Sequence, residues 1–232
     1  MRASSNRADK AKLGILMLDT QFPRILGDVG NPDTWPFPVT YKIVHGASPD
    51  RAIKQDPRKL IEPFIEAGQE LVEAGCKGIA TTCGFLTLLQ DDLARALAVP
   101  VATSALQQIL MIQAILPPDK RVGVITISKA SLTPAHFQAV GVAAPEAVPV
   151  VGTEGGREFS AAILENRDTL DVDASRLDLL DAASKLVTRY PDVGAILLEC
   201  TNMPPYANDI RNATGLPVYS IYTHLCWFHA GL

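Results

Sequence analysis

This chain has no excess of basic charge: 21 lysines and arginines face 25 aspartates and glutamates, a net charge of −4. Nucleic acids and anionic membranes are recognised through basic patches, so neither is expected as a partner. No apolar run approaches the roughly 20 residues that span a bilayer. Residues 1–12 are polar and charged, which reads as a frayed tail rather than an export signal. The four cysteines, at 76, 83, 200 and 226, form no C-x-x-C pair, which argues against a zinc knuckle and a thioredoxin-like motif. Free thiols in a reducing cytosol are therefore expected. The histidines at 45, 136, 224 and 229 show no H-E-x-x-H or other ligand spacing, so no metal is expected. Gly152-Thr153-Glu154-Gly155-Gly156 fits neither phosphate-binding glycine pattern and reads as a flexible turn.

What the chain does have is an alternation of short apolar runs and helical periodicity. Leu13–Leu18, the run into Thr82, Val99–Ala102, Arg121–Thr126, Val148–Val151, the run into Glu199 and Val218–Ser220 read as strands, with Val39–Val44 a further candidate. Helices are expected from Asp56-Pro57 to Gly75, over about 87–97, 104–115, 131–140, 173–190 and 204–213, and in a closing stretch to about 230. In the 173–190 helix, Leu177, Leu180, Ala183 and Val187 supply the apolar stripe. Residues 21–56 hold too many prolines and glycines for a long helix, and a loop of that length often lines or covers a site. Strands alternating with helices predict an α/β fold with doubly wound parallel sheets. Pro117-Pro118 breaks the chain near its middle and divides it into halves 1–116 and 117–232, the final helix being free to pack on the first half.

The two halves repeat one another. A constant offset of 117 carries Cys83 onto Cys200, Asp92 onto Asp209, Pro100 onto Pro217 and Val101 onto Val218 without a gap. Each of these cysteines ends an apolar run and precedes a helix, so each lies at a strand's carboxyl end, where doubly wound sheets bind ligands. Cys76 and Cys226 have no such setting and read as buried small hydrophobes. A helix N-terminus beside Cys83 and Cys200 is expected to favour the thiolate. Two opposed thiols suit one reaction in particular. One takes a proton from a carbon and the other returns a proton to the opposite face, and their roles exchange in the reverse direction.

The paired segments Thr81-Thr82-Cys83-Gly84 and Glu199-Cys200-Thr201-Asn202, with the Gly14 and Gly123 strands, resemble the aspartate/glutamate racemase superfamily. That group includes aspartate, glutamate and hydantoin racemases, maleate isomerases and arylmalonate decarboxylases. The resemblance implies two similar α/β domains related by a pseudo-twofold axis, a cleft site between them, and no cofactor. It also implies catalytic Cys83 and Cys200, and a small-molecule carboxylate held by Asp19 and Thr20 after the first strand and by Thr126 to Ser128 after its counterpart. Thr82, Gly84, Phe85, Thr201 and Asn202, flanking the cysteines, complete the expected site. A homo-oligomer is compatible with this reading. Where amino-acid racemases of the group follow the first cysteine with Asn-Thr, this chain has Gly84-Phe85, which points to a more apolar pocket. Where glutamate racemases have Cys-Thr-His, it has Asn202, for which capping of the next helix is the expected role. Arylmalonate decarboxylases lack the first cysteine, which favours a racemase or another isomerase here. Glu199 is expected to turn to the opposite face of its strand from Cys200. Two other classes remain open: a cysteine hydrolase or amidase, although neither cysteine sits in a G-x-C-x-G-like elbow, and a two-lobed binding protein without chemistry.

Overall fold

The computed structural model describes residues 12–232; most of the polar tail at residues 1–12 lies outside the described residues. Two four-stranded sheets form the framework. The first runs β2 (Val39–Val44), β1 (Leu13–Leu18), β3 (Gly78–Thr81), β4 (Val101–Ala102), and all its neighbours are parallel. The second runs β6 (Val150–Gly152), β5 (Arg121–Thr126), β7 (Val193–Leu198), β8 (Val218–Tyr219), again all parallel. The two orders are the same with four added to every label. The central strands read as unbroken apolar runs because helices cover both faces: β3 is buried throughout, and β5 at every residue but its first.

The helices follow the breakers and caps. α1 (Pro49–Ile53) starts with Ser48 accepting from the Arg51 N–H and with Pro49 in its first turn. Asp56-Pro57 opens a 3-10 turn at Pro57–Leu60 that continues as α2 (Ile61–Glu73). The stretch expected as one helix over 87–97 is a 3-10 segment, Gly84–Leu89, followed by α3 (Gln90–Ala96). Ser104 and Gln107 form a capping box ahead of α4 (Ile109–Ile115). α5 (Pro134–Gln138) is shorter than the expected 131–140, because Pro134 fixes its first turn and Gly141, at φ 83°, stops it. α6 (Phe159–Leu164) and α7 (Val172–Arg189) precede β7. Leu177 of α7 lies in solvent, and the buried side is Ser175, Asp178, Leu179, Ala182, Ala183 and Leu186, so the face is rotated from the expected stripe. The cause is Asp178, whose carboxylate turns inward to accept the N–H groups of Arg157, Glu158 and Phe159 at 2.7–2.9 Å. The glycine turn before α6 is thereby pinned rather than free.

α8 (Ala207–Thr214) and α9 (Ile221–Ala230) close the chain. The last helix of each repeat crosses to the other sheet. Gln113 of α4 binds Lys120 O and Val122 N at the start of β5, at 2.9 and 3.1 Å. In return α9 packs on the first half: its Phe228 and the following Leu232 lie against Gly78 of β3, and Trp35 stacks on Tyr222 at 5.6 Å. Buried Gln108 fastens this exchange, donating to Ser220 O at 2.9 Å and accepting from Thr223 Oγ1 at 3.0 Å. Among the described residues, no helix is long and apolar enough to cross a membrane.

Candidate active site

β3 and β7 each occupy the third place in their sheet, beside the first strand of the half. The carboxyl ends of the two therefore meet across the molecule. Cys83, in extended conformation after β3, opens the Gly84–Leu89 segment. Cys200 follows β7 by two residues and opens the turn into a short 3-10 helix, Pro204–Tyr206. Both thiols line one small cavity, with Phe22, Phe85, Ile127 and Ile163 among its apolar walls. Its open interior is only ≈ 20 Å³, about the room one water needs. Larger surface grooves, such as that between Lys129 and Arg189, contain neither a thiol nor a buried carboxylate, so chemistry and not size marks the site.

The structure brings Thr82, Cys83, Gly84, Phe85, Cys200, Thr201 and Asn202 to this cavity. The threonine hydroxyls there have structural partners. Thr201 Oγ1 donates to Thr82 O at 2.6 Å, tying one half to the other, and Thr82 Oγ1 accepts the Leu18 N–H at 3.1 Å. Asn202 does not cap a helix. Its Nδ2 donates to Asp28 Oδ2 at 2.6 Å, and its Oδ1 accepts from Cys200 Sγ at 3.4 Å. Asp28 is itself buried and held by Arg24 Nη1 at 3.1 Å and the Gly30 N–H at 2.7 Å. The long loop after β1 thus reaches Cys200 through Asp28 and Asn202.

The other expected residues stand outside the lining. Asp19 is exposed, 3.3 Å from His45, and Thr20 accepts from Arg24 at 2.9 Å. Ser128 donates to Ser131 at 2.9 Å. Thr126 is buried behind the wall, where its hydroxyl donates to Glu199 Oε2 at 2.7 Å. That contact exposes a misreading of Glu199. The carboxylate is fully buried and lines the cavity with both thiols. β7 ends at Leu198, so two-residue alternation no longer governs the next side chain. Room for it exists because residue 84 is glycine: a Cβ there would overlap Glu199 Oε1 and press on the Glu199 carbonyl oxygen at 2.6 Å. Oε1 has no hydrogen-bond partner among the described residues.

This carboxylate sets the local electrostatics. Burial pushes Glu199 up to about 7, against a smaller opposing pull from the Thr126 hydroxyl. Burial, and then the Glu199 charge, push Cys83 up to about 12, with the N–H groups of Phe85 and Leu86 pulling back less. Cys200 is driven well above its ordinary value, first by burial and then by Glu199, against the Asn202 N–H. The expected thiolate-favouring effect of the chain turns after each cysteine is present but outweighed, so both thiols rest protonated at neutral pH. Among the described residues, no group of three or more histidine, cysteine, aspartate or glutamate side chains is placed to hold a metal ion.

Two parallel sheets of matching order, with thiol-bearing strand ends facing one cavity, define a class of two-domain α/β enzyme. The chain belongs to the Asp/Glu/hydantoin racemase family, whose family model matches residues 47–228. It is 31% identical to a dimethylsulfoniopropionate lyase of Durusdinium sp. clade D, over 95% of this chain and 75% of that protein. It is 32% identical to dimethylsulfoniopropionate lyase 7 of Emiliania huxleyi, over 95% of this chain and 67% of that protein. Among solved structures, arylmalonate decarboxylase shares the fold with a TM-score of 0.60 at 16% identity, covering 95% of this chain and 92% of that one. Allantoin racemase from Pseudomonas fluorescens does so with a TM-score of 0.60 at 16% identity, covering 95% and 90%.

Proposed function

We propose that the protein is a cofactor-independent enzyme that removes a proton from the carbon next to a carboxylate, using Cys83 and Cys200, and completes the reaction by β-elimination. The observation that carries this reading is the convergence of two buried thiols from equivalent strand ends on one small cavity. Similarity to dimethylsulfoniopropionate lyases supports elimination as the product-forming step and dimethylsulfoniopropionate, a β-sulfonium carboxylate, as the substrate. A thiolate takes the proton from the carbon next to the carboxylate. The electron pair left behind forms the carbon–carbon double bond, and the carbon–sulfur bond breaks. Dimethyl sulfide leaves as a neutral molecule, acrylate remains, and the proton stays on the cysteine sulfur until it passes to solvent. A sulfonium brought into the cavity supplies the positive charge that a resting thiol lacks and so favours the thiolate.

A second reading, racemisation or epimerisation of an amino acid or related small acid, is favoured by the second thiol: reprotonation from the opposite face needs an acid there, and elimination does not. Both readings share the first step. Proton NMR in deuterated water separates them: acrylate from dimethylsulfoniopropionate supports the lyase, whereas deuterium exchange with inversion in single-enantiomer aspartate, glutamate or hydantoins supports the racemase. Neither product from the wild-type protein refutes both.

A further inference from the structure

We propose that Glu199 is the cation subsite of the thiol cavity, selecting a zwitterionic substrate whose positive group is a methylated onium rather than a primary ammonium. This rests on the carboxylate-substrate reading above. Glu199 is completely buried, and Thr126 holds one of its oxygens at 2.7 Å. The other oxygen has no partner among the described residues and lies over Gly84 at the cavity wall. A buried carboxylate without a counter-ion is costly, and no described residue of its own chain serves as one. Arg24, the cation whose charge bears on Cys83, is committed through its terminal nitrogens to Asp28 at 3.1 Å and Thr20 at 2.9 Å, with its guanidinium over the Phe22 ring at 4.4 Å. The unmet demand at Glu199 is therefore for positive charge brought by a ligand.

The walls decide which cation. An ammonium carries three N–H donors and asks for several acceptors. Here one carboxylate oxygen lacks a partner, the side chains of Thr82, Thr201 and Asn202 are already bonded to other residues, and Leu18, Phe85, Ile127 and Ile163 make up the apolar wall. A sulfonium or quaternary ammonium presents only charge and C–H groups, which one carboxylate, an aromatic ring and aliphatic walls satisfy. The ≈ 20 Å³ interior is smaller than such a group, so its entry requires the cavity walls to move apart.

The test uses two probes of one shape and different charge, zwitterionic 3-(trimethylammonio)propanoate and anionic 4,4-dimethylpentanoate, with binding to the intact protein measured by calorimetry at pH 8, where Glu199 is ionised. Wild type is expected to prefer the zwitterionic probe by about tenfold or more, the size of one charge-assisted contact. Glu199→Gln is expected to abolish that preference, by weakening the zwitterionic probe and not the anionic one. Glu199→Asp, which keeps the charge but withdraws it, is expected to retain part of the preference. It also serves as the informative variant if Glu199→Gln does not fold. Equal binding of both probes by wild type, or equal weakening of both in Glu199→Gln, would overturn the proposal. Because the probes are bound rather than turned over, cation preference without lyase activity would sustain the subsite and remove the lyase reading. Lyase activity without cation preference would do the reverse.

Discussion

Replacing Glu199 by glutamine is expected to change how stability depends on pH, by an amount that follows from its burial. Its carboxyl is raised from 4.5 to about 7. At about 1.4 kcal/mol per tenfold change in the proton equilibrium, that rise corresponds to about 3 kcal/mol. The sign follows from proton counting. Between 4.5 and 7 the unfolded chain has already released this proton and the folded chain still holds it, so stability falls as pH rises. The contribution is fully present below 4.5 and lost above 7. Glutamine keeps the shape and has nothing to ionise. Urea unfolding of both proteins at pH 4.5 and pH 8 should show the variant gaining about 3 kcal/mol on wild type between the two conditions. For a chain of this length that is a relative Tm shift of about 6–12 °C. Burial lowers His136, and holds His224 down at about 4, in both proteins, so their contributions cancel in the comparison. Parallel pH profiles for wild type and Glu199→Gln would refute the buried-carboxylate reasoning.

Three further outcomes follow from the same contacts. Gly84→Ala places a methyl group against both the carboxylate and the carbonyl of Glu199; rotation of the side chain relieves only the first, so a loss of about 1–3 kcal/mol is expected in denaturant melts. Thr201→Val keeps the volume and removes the 2.6 Å bond to Thr82 O between the halves. A loss of about 1–3 kcal/mol should appear as a lower Tm, and an unchanged Tm would show that this link contributes nothing. Iodoacetamide, read by peptide mass analysis, should label Cys83 and Cys200 of the folded protein slowly at pH 8, because burial and Glu199 hold both protonated. Labelling should quicken in Glu199→Gln, and rapid wild-type labelling at pH 8 would contradict the assignment.

The sheets were legible because buried parallel strands leave unbroken apolar runs, and the paired cysteines because a gapless offset of 117 relates their segments. Gly14 and Gly123 repeat for a physical reason as well. A Cβ at either would press into the helix packed on its strand, through Leu71 of α2 or Leu186 of α7. What the sequence concealed depends on contacts across the chain. Asp28 and Asn202 are 174 residues apart and meet only because the loop after β1 docks on the second half. Glu199 escapes two-residue alternation because it stands one residue beyond the strand. A glutamate closing the apolar run Ala195–Leu198, just before a cysteine, was the available signal, since so apolar a setting forces burial and a displaced pKa. The face of α7 was hidden because the acceptor role of Asp178 lies in a turn about 20 residues upstream.

The central claim is that a cysteine pair removes the proton next to the carboxylate. Its most direct measurement is turnover of dimethylsulfoniopropionate, unlabelled and deuterated at that carbon, by wild type, Cys83→Ala and Cys200→Ala. Deuteration should slow wild-type kcat/KM. The variant that loses the base should fall by about 10²–10⁴-fold, the usual worth of a positioned proton-transfer group, and loss in both variants would assign a role to each thiol. Undiminished turnover in both variants, or the same kcat/KM for the two substrates, would contradict the account.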